Sequence, residues 1–544
     1  MENKQSVIKW IRSKARENKV LTFFSYRGTS HWWSLEKGLY TKILNTLNSN
    51  EESKKRLSFF SLKRLINNWK INNIIWLFFF KVLTRYFFGR FLSKEPKFSN
   101  SCDVLAVSYT SYWSNYSIVN SDSQKIYEKD GMLGNLLSKL REKEKVISLD
   151  SDSSLFVDFK TLFEKNSNLP GFWFPVEKYL DYDILRRVLS YLKIYKMRYT
   201  KLSKASSFSE NWKYKDIDLS SLILEHIELF IHKRLFWHIL YTELMIKAIA
   251  IEKPQILLIT CAYCRLGRAS VIAGKVMKIP SIEIQHGVIH PSHYSYIYDK
   301  SIDKDLAPSL PNKIAVFGNY YFNLLTQRSI YNKEQVVVTG QPRYDSFLDI
   351  NMAMKRSSFL KKNAISEDTK IVLWTLQAND YPLEKNMEHL NLVFSVIDKY
   401  PKLTVLLKPH PHDRNSNLDL LQNFSKNRDN VQIYSKSFNT FELLYVCDLL
   451  LSRYSTTVTE AIGLEKEVIL INFENDIETE AYTKEGNITQ VKNRFMFNEQ
   501  IARFLSKEKS PTEYRDKFVD NFLYKMDGNS TQRIVKLMDE IIKK

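Results

Sequence analysis

The stretch YPKLTVLLKPHPHD (400–413), followed after one helix-length segment by VQIYSKSFNTFELLYVCDLLLSRYSTTVTEAIGLEKEVILIN (431–472), decides the fold. Short leucine-rich or β-branched runs at 403–407, 431–434, 449–451 and 468–471 alternate with helix-length segments, the pattern of a doubly wound α/β sheet. In such a sheet ligands bind beyond the carboxyl ends of the strands. Two of those ends carry chemistry. Lys408-Pro409-His410-Pro411-His412 follows one strand; Ser452-Arg453-Tyr454-Ser455-Thr456-Thr457 follows another and precedes a helix. A helix N-terminus presents unpaired N–H groups and partial positive charge, and the hydroxyls of Ser455, Thr456 and Thr457 add donors, which outlines a phosphate site. The plainer alternative is that Ser455 or Thr456 is an N-cap with Glu460 near the first turn. A cation and an imidazole set by prolines at the end of a buried strand are expensive to place without an anion, and this favours a nucleotide site.

KPHP and LLLSRYSTTVTEA resemble the His-Pro and Ser-Ser/Thr pair of bacterial GT-B transferases that use cytidine-nucleotide donors. These are the sialyl-, polysialyl- and Kdo-type capsule transferases and the CDP-glycerol glycerophosphotransferases of teichoic-acid synthesis. The resemblance covers roughly residues 250 to 535. It implies two Rossmann-like doubly wound domains facing a cleft, with His410, Ser455 and Thr456 on the donor phosphates and Lys408 beside them.

Further segments extend the likeness. Gln285-His286-Gly287 is similar to the QHG and HG segments whose histidine lies near the reacting centre. Read from its residues, a strand ends at Gln285 and Gly287 frees the turn, so that His286 projects into the crevice and takes a proton from an attacking hydroxyl; the alternative is that it only bonds its own loop. Thr339-Gly-Gln-Pro-Arg343-Tyr-Asp345 resembles a TGxPRxD segment near the inter-domain junction, where Arg343 either reaches a phosphate or pairs with Asp345 and braces the linker. Asp527-Gly-Asn-Ser-Thr-Gln-Arg533 resembles a shared ending of these transferases. The sialyl- and polysialyltransferases carry an acidic-acidic-Gly motif that supplies the base. Lys129-Asp130-Gly131 departs from it at the first place, so Asp130 is either the base or a helix cap. Glu460 either holds ribose hydroxyls or is an exposed helical acid, and Gln377 stands where a loop faces the cleft.

At 544 residues and 44% hydrophobic the chain has room for two or three domains with proper cores. A formal charge of +20 implies an anionic partner: phosphate-bearing substrates, an acidic membrane face or nucleic acid. No zinc-finger spacing, RNP-like run or isolated basic tail is present, so nucleic acid ranks last. Four cysteines imply a reducing compartment rather than a disulfide framework, and Cys261-Ala-Tyr-Cys264 lacks a second pair to complete a zinc site. Asp181-Tyr182-Asp183 has D-x-D spacing but opens a helical pattern, where acids suit the dipole. The charged start has no apolar signal core, so the expected location is the cytoplasm, at the inner face of the membrane if the basic aromatic segment lies in the interface.

The expected organisation is a basic aromatic helical segment at 1–100, an acceptor domain at 101–345 with a helical insertion at 151–231, a hinge at 346–369 and a nucleotide-donor domain at 370–544. The apolar run Ile74–Phe80 is too short to span a bilayer. Continued through Phe87 and Phe91, it is either an interfacial helix or one packed on the body with its Lys81, Arg85 and Arg90 snorkelling outward. The resemblance implies a metal-independent GT-B glycosyltransferase, needing no cofactor beyond its donor, that moves a sugar from a CMP- or other cytidine-linked nucleotide onto a glycan or lipid-linked glycan. Alternatives are polyol-phosphate transfer from CDP-glycerol or CDP-ribitol, a nucleotide-sugar 2-epimerase, and a non-catalytic assembly or membrane scaffold.

Overall fold

The computed structural model describes residues 4–543 apart from 18–19, 21–23, 48–76, 78, 97–100, 114–129, 153–155, 205–211, 216, 292, 294, 299, 301, 303–306, 350–351, 377–382, 411–414, 437, 454, 476–478, 480, 487 and 507–511. Its frame is two parallel sheets. The first comprises β1 (Val104–Tyr109), β2 (Val146–Ser151), β3 (Trp173–Pro175), β4 (Ile256–Thr260), β5 (Ser281–Ile284), β6 (Lys313–Val316) and β7 (Val336–Val338). They lie in the order β7-β6-β5-β4-β1-β2-β3. The second comprises β8 (Lys370–Thr375), β9 (Leu403–Lys408), β10 (Val431–Ile433), β11 (Leu449–Ser452), β12 (Glu467–Ile471) and β13 (Gln490–Val491), in the order β10-β9-β8-β11-β12-β13. Strands β1, β2, β4 and β9 are buried at every position, as apolar runs covered by helices on both faces require. In each sheet the chain winds outward from its first strand and then returns to wind the other way. That is the Rossmann order, with switch points between β1 and β4 and between β8 and β11. The architecture is GT-B: two such sheets in one chain.

Several local expectations change. Trp173-Phe174-Pro175, expected to be helical, is the edge strand β3, whose outer side is where a proline can sit without breaking a ladder. The D-x-D acids, by contrast, open the helix Tyr182–Ser203 as expected, and Asp181 caps it by accepting from the Ile184 N–H at 2.8 Å. The span expected to be a hinge contains the helix Met352–Lys362; its Arg356 bonds the Thr369 carbonyl at 3.2 Å and pairs with Asp448 at 3.1 Å. Cys261 and Cys264 are joined as a disulfide, against the expectation of free thiols, while Cys102 and Cys447 are free and buried.

The amino-terminal segment is welded to the body. Val7, Ile11, Leu35 and Leu39, from the helices Lys4–Glu17 and Trp32–Leu47, share one core with Leu240 and Leu244 of the helix Phe236–Glu252. Arg27 pairs with the buried Glu243 at 2.9 Å, and the Tyr26 hydroxyl donates to the same carboxylate. Of the apolar run, Ile74–Trp76 and Phe78 lie outside the described residues. Residues 79–92 are helical and face the opposite way from the snorkelling arrangement. Lys81 and Arg85 point inward: Arg85 meets Asp150 at 2.7 Å and Glu177 at 2.9 Å, and Lys81 meets Asp152 at 3.2 Å. Asp150 stands one residue before the end of β2 and Glu177 follows β3; both are buried carboxylates that need cations, and this need decides the helix's rotation.

The last helix, Ser530–Ile542, returns to the first half and packs Ile534, Leu537 and Met538 against Val104, Leu133 and Ile282. Among the described residues no helix is long and apolar enough to cross a membrane.

Candidate functional site

At the carboxyl edge of the second sheet, Thr375 ends β8, with Lys408 of β9 beside it in register and Ser452 of β11 on its other side. The two chemistry-bearing loops therefore flank one strand, roughly 10 Å apart across two strand spacings. The Thr375 hydroxyl donates to Ser452 Oγ at 2.9 Å and lies 3.2 Å from Thr457 Oγ1. Ser455 is the N-cap of the helix Thr456–Gly463, its Oγ accepting from the Thr457 N–H at 3.2 Å, and Tyr482 donates to the Ser455 carbonyl at 3.1 Å. The capping alternative is thus realised, and Thr456 opens the helix. In that first turn the Val458 N–H also returns to the Ser455 carbonyl at 3.1 Å.

Lys408 is buried, and its ammonium donates to the Pro409 and Lys436 carbonyls, both at 3.0 Å. Burial pushes it down to about 8. Two of its three N–H donors are thereby used. His410, half-buried, is two residues further along; Pro411 and His412, like Gln377, lie outside the described residues.

On the first sheet, His286 follows β5. Gln285 holds its turn, donating to the Gly287 carbonyl at 2.7 Å and accepting from the Phe317 N–H at 2.9 Å. The expected role of Gly287 is corrected: a Cβ there would meet nothing within 4 Å, and its φ lies outside the left-handed range. The clamp is the glutamine amide. His286 Nε2 lies 3.3 Å from the Tyr263 hydroxyl, and burial together with the Arg343 charge pushes the imidazole down to about 4. Beneath it Glu283 accepts from Tyr296 at 2.7 Å and from the Ala262 N–H at 2.9 Å, and burial pushes it up to about 7. Asp130 is occupied: its Oδ1 accepts from the Met132 and Leu133 N–H groups at 2.8 and 2.9 Å and its Oδ2 from Ser108. That is the geometry of a carboxylate capping its own turn.

Arg343 joins the halves. It pairs with neither Asp345 nor an exposed group but with Glu460, one turn into the Thr456 helix, and lies over the Tyr344 and Phe441 rings at 5.1 and 5.7 Å. Glu460 is buried, neither exposed nor open to a ribose in this arrangement; burial raises it against the pull of Arg343. Asp345 instead accepts from the Ser530 and Thr531 N–H groups at 2.9 and 2.7 Å, capping the last helix. The TGQPRYD and DGNSTQR segments, separate in the sequence, are thus each other's partners.

Thr375, Tyr263, Glu283 and Tyr482 were not singled out from the sequence. A hydroxyl at the last position of an apolar strand was the available signal for Thr375. The others depend on contacts between distant segments.

Residues 312–540, which hold KPHP, RYSTT and both mutually bonded segments, were compared with known families. They match the CDP-glycerol:poly(glycerophosphate) glycerophosphotransferases. This glycerophosphotransferase match begins later than the likeness expected from about residue 250, so Asp130 and His286 lie outside it. The teichoic acid poly(ribitol-phosphate) polymerase of Bacillus spizizenii is 27% identical over 233 residues, covering 38% of this chain and 34% of that protein. The chain thus spans about a third of that relative's length. Among solved structures, the wall teichoic acid polymerase TagF aligns with a TM-score of 0.44 at 12% identity, covering 91% of this chain and 99% of that one. The UDP-GlcNAc 2-epimerase of Neisseria meningitidis aligns with a TM-score of 0.47 at 16% identity, covering 80% of this chain and 100% of that one.

Proposed function

We propose that this chain transfers a polyol phosphate from a cytidine-diphosphate donor onto a hydroxyl of a surface polymer, at the cytoplasmic face of the membrane. The observation that carries this is the flanking of Thr375 by the Lys408–His410 loop and the Ser455 helix start, in the part of the chain that matches the glycerophosphotransferases. Lys408, His410, Ser455 and Thr456 hold the donor's phosphates, and the third ammonium donor of Lys408 finds there the acceptor that two carbonyls leave it lacking. The acceptor hydroxyl attacks the phosphorus that bears the polyol. A new P–O bond forms, the bond to the other phosphate breaks, and CMP departs with the electron pair. His286, held neutral by its surroundings, takes the hydroxyl proton, and the anionic donor raises its affinity for that proton. Glu460 and Arg343 set the closure of the halves rather than touching ribose, and Asp130 shapes its turn.

Product analysis with CDP-glycerol, CDP-ribitol and a CMP-sugar tests this. The expected result is a lengthened polyol-phosphate product with one CMP released per unit, and a loss of about 100-fold or more in kcat for His286→Ala. Turnover of the CMP-sugar alone would return the chain to the sugar transfer expected first from its sequence, since the same groups would hold the same leaving nucleotide. Donor binding without turnover, indifferent to His286→Ala, would leave a scaffold.

A further inference from the structure

The Cys261-Ala-Tyr-Cys264 loop, which no step of the transfer uses, lies at the carboxyl end of β4, beside the switch point of the first sheet. Its disulfide closes a turn in which Cys261 has φ 53, a left-handed value that residues other than glycine rarely adopt. The two residues between the cysteines carry its contacts. The Ala262 N–H donates to Glu283 at 2.9 Å, and the same carboxylate oxygen accepts from Tyr296 at 2.7 Å. The Tyr263 ring meets Tyr296 edge-on at 5.2 Å, and its hydroxyl lies 3.3 Å from His286 Nε2. One side chain therefore passes the position of the loop to the imidazole.

That contact has a chemical consequence. A neutral imidazole offers one ring nitrogen as acceptor. If the acceptor is Nε2, the Tyr263 hydroxyl donates to it and occupies it. If it is Nδ1, it is sealed, because Nδ1 is buried and has no partner among the described residues. In either tautomer the ring takes no proton from an arriving hydroxyl while Tyr263 stays in place.

Access to the disulfide is one-sided. Cys261 is 1% exposed, whereas Cys264 is half-buried and caps the helix Arg265–Met277. A dithiol reductant thus meets the Cys264 sulfur first. Its thiolate bonds that sulfur, the S–S bond breaks, and Cys261 departs with the electron pair and takes up a proton. The second thiol of the reductant then displaces Cys264, which leaves with its electron pair and is protonated in turn, and the reductant becomes a disulfide. A disulfide oxidant runs the same exchange backwards. With the bond cut, Cys261 is free to leave the left-handed region, and Ala262 and Tyr263 move with it.

We propose that Cys261–Cys264 is a redox switch on His286: the disulfide holds Tyr263 on the imidazole and silences it, and a dithiol reductant releases it. That the silencing slows transfer rests on the transferase reading; the exchange and its effect on the imidazole do not.

The full chain, oxidised with glutathione disulfide or reduced with dithiothreitol, tests this; Cys102 and Cys447 are free and buried, so no other disulfide is altered. Alkylation after an acid quench, read by mass spectrometry, is expected to find Cys261 and Cys264 bonded in the first form and both tagged in the second. Diethyl pyrocarbonate, which attacks through an imidazole lone pair, is expected to modify His286 at least about tenfold faster in the reduced form. Tyr263→Phe keeps the ring and removes the hydroxyl, and is expected to make that rate fast in both forms. Cys261→Ser/Cys264→Ser is expected to be fast and indifferent to oxidant; Tyr263→Phe serves alone if the double variant does not fold. Failure of the pair to form overturns the proposal, as do equal His286 rates in the two forms of the wild type or a redox difference that survives in Tyr263→Phe. Transfer from a CDP-polyol is expected to be at least about tenfold slower in the oxidised wild type, and equal transfer by both forms overturns the control of turnover. If neither form transfers, the transferase reading fails while the His286 rates decide the switch.

Discussion

Lys408 sets two demands against each other at one side chain. Its ammonium is buried against two carbonyls, and burial pushes it down to about 8 from the usual 10.5. The unfolded chain holds that proton up to the ordinary value. The penalty is therefore fully present below pH 8 and is relieved as pH rises towards 10.5. Lys408→Met is accordingly expected to raise the melting temperature of the free protein by a few degrees at pH 7 while abolishing the upward shift expected of the wild type with CDP. Differential scanning fluorimetry with and without nucleotide checks both; a destabilised variant that keeps its CDP shift would refute the role. His286 has the same sign and the same first cause, burial, with the Arg343 charge added to it. Its value of about 4 lies below the ordinary 6.5, so the stability contributed by its neutral form is present above 6.5 and lost as pH falls towards 4.

At the scale of elements, the capping of Ser530–Ile542 by Asp345 is the joint with the clearest price. Gly340 stands beside it with φ +76, and a Cβ there would lie 2.5 Å from Ser530 Oγ. Asp345→Ala removes the acceptor of two helix N–H groups and is expected to destabilise by about 1–2 kcal/mol, while Gly340→Ala adds both strain and a clash. Urea unfolding of both variants measures this; Gly340→Ala should be the more damaging. Strand placement was largely legible in the sequence, because parallel strands covered on both faces are unbroken apolar runs and announce themselves. The misses have the same physical origin. β3 is three residues, two aromatic and one proline, and β13 is two residues, both too short for a period to emerge. The inverted rotation of helix 79–92 could not be read either, since Lys81 and Arg85 find their acids roughly 65 to 92 positions away, where composition says nothing.

For the whole molecule, the Arg343–Glu460 pair is a bond between the halves, reaching the helix that Ser455 caps. Both members are largely buried, so removing one leaves the other charged and unpaired. Glu460→Gln is expected to cost about 3 kcal/mol, and Arg343→Met in the same chain to recover much of it, because two neutral side chains leave no stranded charge. A double-mutant cycle by chemical unfolding decides it; additive losses would show the pair to be uncoupled. This pair also marks the limit of what the site disclosed beforehand. Lys408, His410 and the Ser455 loop could be set at strand ends from the sequence because each lies at or just past an apolar run, whereas the partner of Glu460, read as a ribose ligand or an exposed helical acid, lies 117 positions earlier.

The return of the final helix to the first sheet means that the polypeptide passes between the two lobes twice, once at residues 345–370 and again at 505–530. Two crossings tie the lobes more firmly than one, since a cut in either chain segment leaves the other to hold the halves together.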